Sequence, residues 1–293
     1  MKIIDPHVHL FDLAKGQYHW LKSDNPPFWE DKPIISRNFQ EQDLALSNNT
    51  LSGFVHIEAG FNNEFPAKEL IWLENTVKLP FKSIATFDLL SPPKFNDNLL
   101  KQLNSLTSFV GVRHILDDDA IAILNNRTAQ ENFALLNNQS LIFELQVYLS
   151  DNDILEPLLS TIDNYPQIKF IINHAGFPPY FSDERKDSER SIQWQNWQTN
   201  LAQCAQRDNV WIKCSGWEMT NRKYSAQWQQ QVLSSVLASF DSDKIMLASN
   251  FPLTLFSRNY NTYWQELIAL VPAESVANLC GNNAMRCYQL NAI

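Results

Sequence analysis

Eight short runs of β-branched and aromatic residues, with helix-like stretches between most of them, constrain this chain more than any other feature. They read KIID (2–5), SGFVHIEA (52–59), SIATFDLL (83–90), FVGVRHIL (109–116), LIFELQVY (141–148), KFIINHAG (169–176), NVWIKCSG (209–216) and KIMLASNF (244–251). Strands alternating with helices predict parallel βα units. Eight such units close a (β/α)8 TIM barrel, for which about 250 residues is usual. QWQQQVLSSVLASF (227–240) carries Val232, Val236 and Phe240 at helical spacing, and DILEPLLSTI (153–162) follows Asp151, a capping residue type. The chain therefore reads as one α/β barrel domain over residues 1–293. No composition shift marks a linker, and no GxGxxG or GxxxxGK[ST] loop supports a doubly wound nucleotide-binding fold. Residues 10 to 51, long and bearing Pro and Trp, are expected to fold over one end of the barrel.

Composition narrows the partners. Hydrophobic residues make up 44% and charged residues 19%, which is ordinary for a folded globular chain. Lys and Arg number 23 against 32 Asp and Glu, a net charge of −9 with no basic run. Nucleic acid and anionic membrane are thus poor partners, and a small molecule is the expected one. Association of copies with one another stays open. The opening MKIID does not read as a charged-then-apolar leader, so none is expected, and no apolar stretch nears the roughly 20 residues of a membrane span. Cys204, Cys214, Cys280 and Cys287 form no CxxC and are too sparse for a disulfide framework, so a reducing cytoplasmic setting is expected.

Chemistry-capable residues gather at the expected carboxyl ends of the strands, where a barrel of this type builds its active site. In IDPHVHLFD, Asp5, His7 and His9 share a face if the strand runs that far. A same-face pair of imidazoles is an ordinary way to present ligands to a metal. His56 and Glu58 fall on strand two, Arg113 and His114 on strand four, and Glu144 and Gln146 on strand five. His174 lies on strand six, Lys213 and Ser215 on strand seven, and Asn250 at the end of strand eight. Five of the six histidines thus map to strand ends. Arg113 and Lys213 have two readings: internal ion pairs with Glu58 or Glu144, or contacts to a substrate anion. Trp194, Trp197 and Trp217 read as packing residues or as an aromatic wall for a ring-shaped substrate.

Taken together, IDPHVHLFD, GVRHIL, NHAGFPP, NVWIKCSGW and the closing GNNAMRCYQL resemble the amidohydrolase-related family. The likeness is to its branch of sugar-lactone and 2-pyrone-4,6-dicarboxylate lactonases. It runs along almost the whole chain. It implies a TIM barrel that hydrolyses a cyclic ester, with His7, His9 and His174 in the matching catalytic or metal-binding positions. No lysine stands on strand four to bridge two metals, so at most one divalent ion, zinc first, is implied.

One position departs from the pattern. The larger family ends strand eight in an aspartate that serves as base, whereas ASNFPLTLF places Asn250 there, and an amide takes no proton at physiological pH. Two routes follow. A zinc held by His7, His9 and His174 would leave an open position for water and bring its pKa to about 7. Without metal, the histidines and Arg113 would polarise the carbonyl, and an imidazole would act as base. The expected catalytic set is His174, Asn250 and His114, with Arg113, Gln146, Lys213 and Trp217 binding substrate. Two other functions compete: a metal-dependent, non-oxidative decarboxylase of an aromatic or unsaturated acid, and a ligand-binding barrel that has lost catalysis.

Overall fold

The computed structural model describes residues 1–180 and 188–291. Its strands are β1 (Lys2–Val8), β2 (Thr50–Ile57), β3 (Phe81–Thr86), β4 (Phe109–Ile115), β5 (Ile142–Gln146), β6 (Lys169–Ile172), β7 (Val210–Cys214) and β8 (Ile245–Leu247). They form one eight-stranded parallel sheet in the order β1 to β8. Helices follow the strands: α1 (Ala67–Thr76), α2 (Pro93–Leu103), α3 (Ala120–Leu124), α4 (Arg127–Asn138), α5 (Leu155–Asn164), α6 (Ser188–Ala205), α7 (Trp217–Thr220), α8 (Ala226–Ser239), α9 (Tyr260–Ala269) and α10 (Asn283–Tyr288). This is the (β/α)8 TIM-barrel fold that the alternation of runs predicts. No described helix is long and apolar enough to cross a membrane.

The residues pack into two compact units, one of Met1–Phe87, Leu99–Arg113 and Leu247–Ile293, the other of Asp88–Asn98 and His114–Met246. In the first, β1 to β4 pair in sequence, and Val8 bridges Phe251 beyond β8. Pro6 has no N–H to give the ladder, and the β1–β2 register shifts between Asp5 and Val8. Such an irregularity re-aims the side chains beside it, here His7. Residues 10 to 49 hold short 3-10 turns and a cluster of aromatic rings around Phe11, Tyr18 and Phe39. Trp20 Nε1 ties this connection to the Ala59 carbonyl, two residues past β2, at 2.7 Å. The long connection therefore reaches the carboxyl end of β2.

In the second unit Phe133 of α4 meets Phe143 of β5 edge-on at 5.1 Å, and β7 is buried at every position. Unbroken burial is what a parallel strand covered on both faces requires. Helix α8 matches its predicted span to one residue, with Ser225 Oγ accepting the Trp228 N–H as cap. Helix α5 begins at Leu155, and Asp151 does not cap it. Its Oδ1 accepts the Asp153 N–H in a turn ahead of the helix, the local bond that short acidic side chains favour.

Seven of the eight strands end before their predicted runs do, and at β6 and β8 the early end falls on expected site residues. Strand β6 stops at Ile172, because His174, Ala175, Gly176 and Phe177 all take left-handed backbone angles (φ 51 to 68). Strand β8 stops at Leu247, three residues before Asn250 (φ 61). His174 and Asn250 thus sit in turns just past the strands, not on them.

Candidate functional site

In the first unit the turn after β8 lies against the end of β1. His7 donates its N–H to Asp5 Oδ1, the Asn250 N–H reaches the His7 carbonyl at 3.0 Å, and the His9 N–H reaches the Phe251 carbonyl at 2.7 Å. Asp5 also accepts from the Ser249 N–H and the Tyr260 hydroxyl, both at 3.0 Å. Burial still pushes its carboxyl up to about 6. Asp5 is therefore a clamp between β1 and the turn after β8.

The rings of His7 and His9 meet edge-on at 5.1 Å, and His56 lies 6.5 Å beyond His9. His9 Nδ1 faces two carbonyls, Ile57 at 2.8 Å and Glu58 at 3.2 Å. Carbonyls only accept, so Nδ1 carries the proton and Nε2 keeps its lone pair. Burial, then the nearby Arg113 charge, lowers the His9 pKa to about 3, and the ring is neutral. The Asn250 side chain hydrogen-bonds the same ring. With Nδ1 turned to the carbonyls, an amide N–H suits the remaining nitrogen where a carboxylate has nothing to donate.

Behind this pair lies a buried charge network. Arg113 sends Nε to Glu58 Oε1 at 2.8 Å and Nη2 to the same carboxylate at 2.6 Å and to the Glu58 carbonyl at 2.9 Å. Of the two readings of Arg113, the internal ion pair is present. His56 Nε2 stands 3.8 Å from Glu69 Oε1. Burial lowers His56 to about 3 and raises Glu69 well above its ordinary value, so it disfavours the charged form of each.

In the second unit His174 Nδ1 and Ser215 Oγ are 2.9 Å apart. Trp197 Nε1 holds the left-handed turn of His174 through the Ala175 carbonyl at 2.7 Å, and the Leu149 N–H holds it through the Gly176 carbonyl. Gly216 has φ +67, and a Cβ there would come within 2.3 Å of His174 Nδ1. Only glycine lets the chain pass that ring.

The other expected site residues are accounted for locally. Lys213 is fully buried, its ammonium 2.8 and 2.7 Å from the two oxygens of equally buried Glu144, a bond between β7 and β5. Gln146 donates to Asp117 Oδ1 at 3.0 Å. His114 Nδ1 accepts the Leu89 N–H at 3.0 Å and braces the loop after β3. Trp217 packs inside α7 against Trp228 of α8 at 5.9 Å, its ring almost wholly buried. Sequence reasoning missed Gly216 as the residue that admits the His174 ring. It also missed Asn173, a buried amide whose Oδ1 and Nδ2 have no hydrogen-bond partner among the described residues. The Ser-Gly pair after an apolar strand was a signal for Gly216; nothing in the sequence pointed to Asn173.

For a metal, His9 Nε2 has the right chemistry, since a neutral imidazole with its other nitrogen bound to a carbonyl is a ready ligand. The rest of the donor set does not complete it. Among the described residues no three His, Cys, Asp or Glu side chains are placed to hold one ion, and Asn250 brings no charge to the turn beside His9.

Known proteins resemble this chain along its whole length. It is 26% identical over 306 residues to protein y4mH of Sinorhizobium fredii, covering 98% of each chain. To an L-fucono-1,5-lactonase of Burkholderia multivorans it is 23% identical, covering 98% of this chain and 96% of that one. A zinc-bound amidohydrolase structure from Burkholderia multivorans superposes with a TM-score of 0.78 at 19% identity, covering 99% and 100% of the two chains. A Pseudomonas putida protein assigned as a 2-pyrone-4,6-dicarboxylic acid hydrolase gives 0.69 at 16%, over 98% and 97%. Residues 4–290 match the family profile described as amidohydrolase, and the chain belongs to that family.

Proposed function

We propose that this protein is a hydrolase that opens a cyclic carboxylic ester, a sugar lactone or a pyrone-type lactone. The observation that carries the reading is the likeness, along 98% of this chain, to an L-fucono-1,5-lactonase. Water adds to the lactone carbonyl carbon, the ring acyl C–O bond breaks, and the proton given up by water ends on the ring oxygen, yielding a hydroxy acid. His7, His9, His174 and Asn250 are the residues proposed to serve this step. Burial pushes the His9 pKa to about 3, too low for an effective base at physiological pH, so His7 is the imidazole proposed to carry the proton. Asn250 orients by hydrogen bonds.

A divalent metal is supported by the zinc-bound relative, with His7 and His9 as the residues that would hold it. Such an ion would supply carbonyl polarisation and an acidified water. Because the donor set among the described residues is incomplete, no step here is routed through it. The test is acid release from a panel of sugar and pyrone lactones, with and without chelator, beside elemental analysis of protein purified without added metal. Acid release from a lactone of the panel is the expected result. Carbon dioxide release from aromatic acids with no lactone opened would overturn it, and would favour the decarboxylase.

A further inference from the structure

Ser215 stands just past β7 and is fully buried. Among the described residues its hydroxyl has one hydrogen-bond partner, His174 Nδ1, at 2.9 Å. A hydroxyl has one proton to give and lone pairs to spare, and a buried donor left unmade costs more than an unused lone pair. The O–H therefore points at Nδ1, and Nδ1 accepts. An imidazole that accepts at Nδ1 and is neutral carries its proton on Nε2.

We propose that Ser215 is a positioning residue that holds His174 in the Nε2–H tautomer, so that His174 meets the substrate as a hydrogen-bond donor and not as a base or a metal ligand. This rests on the hydrolase reading only for the identity of the substrate. The same neighbourhood fixes the ring in place as well as in protonation: Gly216 passes within what would be 2.3 Å of Nδ1, and Phe177 covers the ring at 5.2 Å between centroids. Four consecutive left-handed residues, three of them not glycine, hold His174 in that turn. Backbone of this kind persists only where the surroundings over-determine it, and it clusters at functional sites. The donated hydrogen bond is the whole of the role. No proton leaves His174, because a neutral imidazole that lost its Nε2 proton would become an imidazolate. A metal on Nε2 would displace that proton onto Nδ1 and leave the Ser215 hydroxyl without an acceptor.

The tautomer can be read without any substrate. Long-range proton–nitrogen correlation spectra of histidine-labelled protein separate Nε2–H from Nδ1–H rings, and the His174→Gln spectrum assigns the signal. The expected result is Nε2–H for His174 in the wild type and a mixture of tautomers in Ser215→Ala, with Ser215→Thr keeping the wild-type form. On a lactone that the protein opens, Ser215→Ala lowers kcat about tenfold or more with KM little changed, as loss of a bond made chiefly in the transition state requires. An Nδ1–H ring in the wild type, or an unchanged Nε2–H ring in Ser215→Ala, overturns the proposal. A protein that opens no lactone yet shows the Ser215-dependent Nε2–H ring sinks the hydrolase reading and leaves this one standing.

Discussion

At Gly216 and Asn250 single side chains decide whether a histidine is usable. A methyl group on Gly216 would meet the His174 ring and would sit on a left-handed backbone. Gly216→Ala should therefore lower stability by about 1–2 kcal/mol and reduce kcat at least tenfold. Melting curves and lactone kinetics on the same preparation check both effects; an unchanged kcat would show that His174 does not serve the reaction. Asn250 carries the departure from the family pattern. In Asn250→Asp an added anion beside His9 favours the imidazolium, so the His9 pKa rises from about 3 toward the ordinary value. The site as built is matched to a neutral ring, and hydrolysis at pH 7 should fall, not rise. A histidine titration and a rate on one lactone measure the two outcomes. The left-handed angle of residue 250 also suits asparagine, which visits that region routinely.

Among the elements, β5 and β7 are joined by the one charge pair of the second unit in which both side chains are wholly buried among the described residues. Removing one partner strands a charge away from water, and Lys213→Met or Glu144→Leu alone should cost about 3–5 kcal/mol. The double variant should recover most of that loss, because two apolar side chains leave nothing unpaired. Urea unfolding of the two single variants and the double variant tests this, and equal losses in all three would contradict it. Helix α8 and its Ser225 cap were readable from spacing and residue type, since a cap and an apolar stripe are local features. The early ends of β6 and β8 were not. Apolar runs continue past both strands, and the backbone angles that stop them come from bonds to Leu149, Trp197 and His7, residues distant in the chain.

For the whole molecule the buried histidines set the acid limit. His9 and His56 have folded pKa values of about 3 against an unfolded 6.5, so the unfolded chain binds more protons than the folded one between those values. Stability is full above pH 6.5 and is lost as pH falls toward 3. Asp5 acts the other way: raised to about 6 from 3.8, it stabilises most below 3.8 and loses that contribution as pH rises to 6. The variant His56→Gln removes one proton from this balance. Its unfolding free energy should depend less steeply on pH between 6 and 4 than that of the wild type, and parallel slopes would rule out a buried neutral His56.

The sequence by itself determined the order of eight strands and their helices, and the placing of His7, His9, His56 and Arg113 at strand ends, because residue type and periodicity act within a few residues. It also set an amide, Asn250, where the resemblance implies an aspartate. Tertiary structure decided the partners. Arg113 pairs with Glu58 across 55 residues of chain, Lys213 with Glu144 across 69, and Ser215 with His174 across 41. No local pattern encodes which of several buried charges will meet. The same holds for protonation: which nitrogen of a histidine bears the proton depends on the carbonyl or hydroxyl that folding sets against the other, and that neighbour comes from another strand.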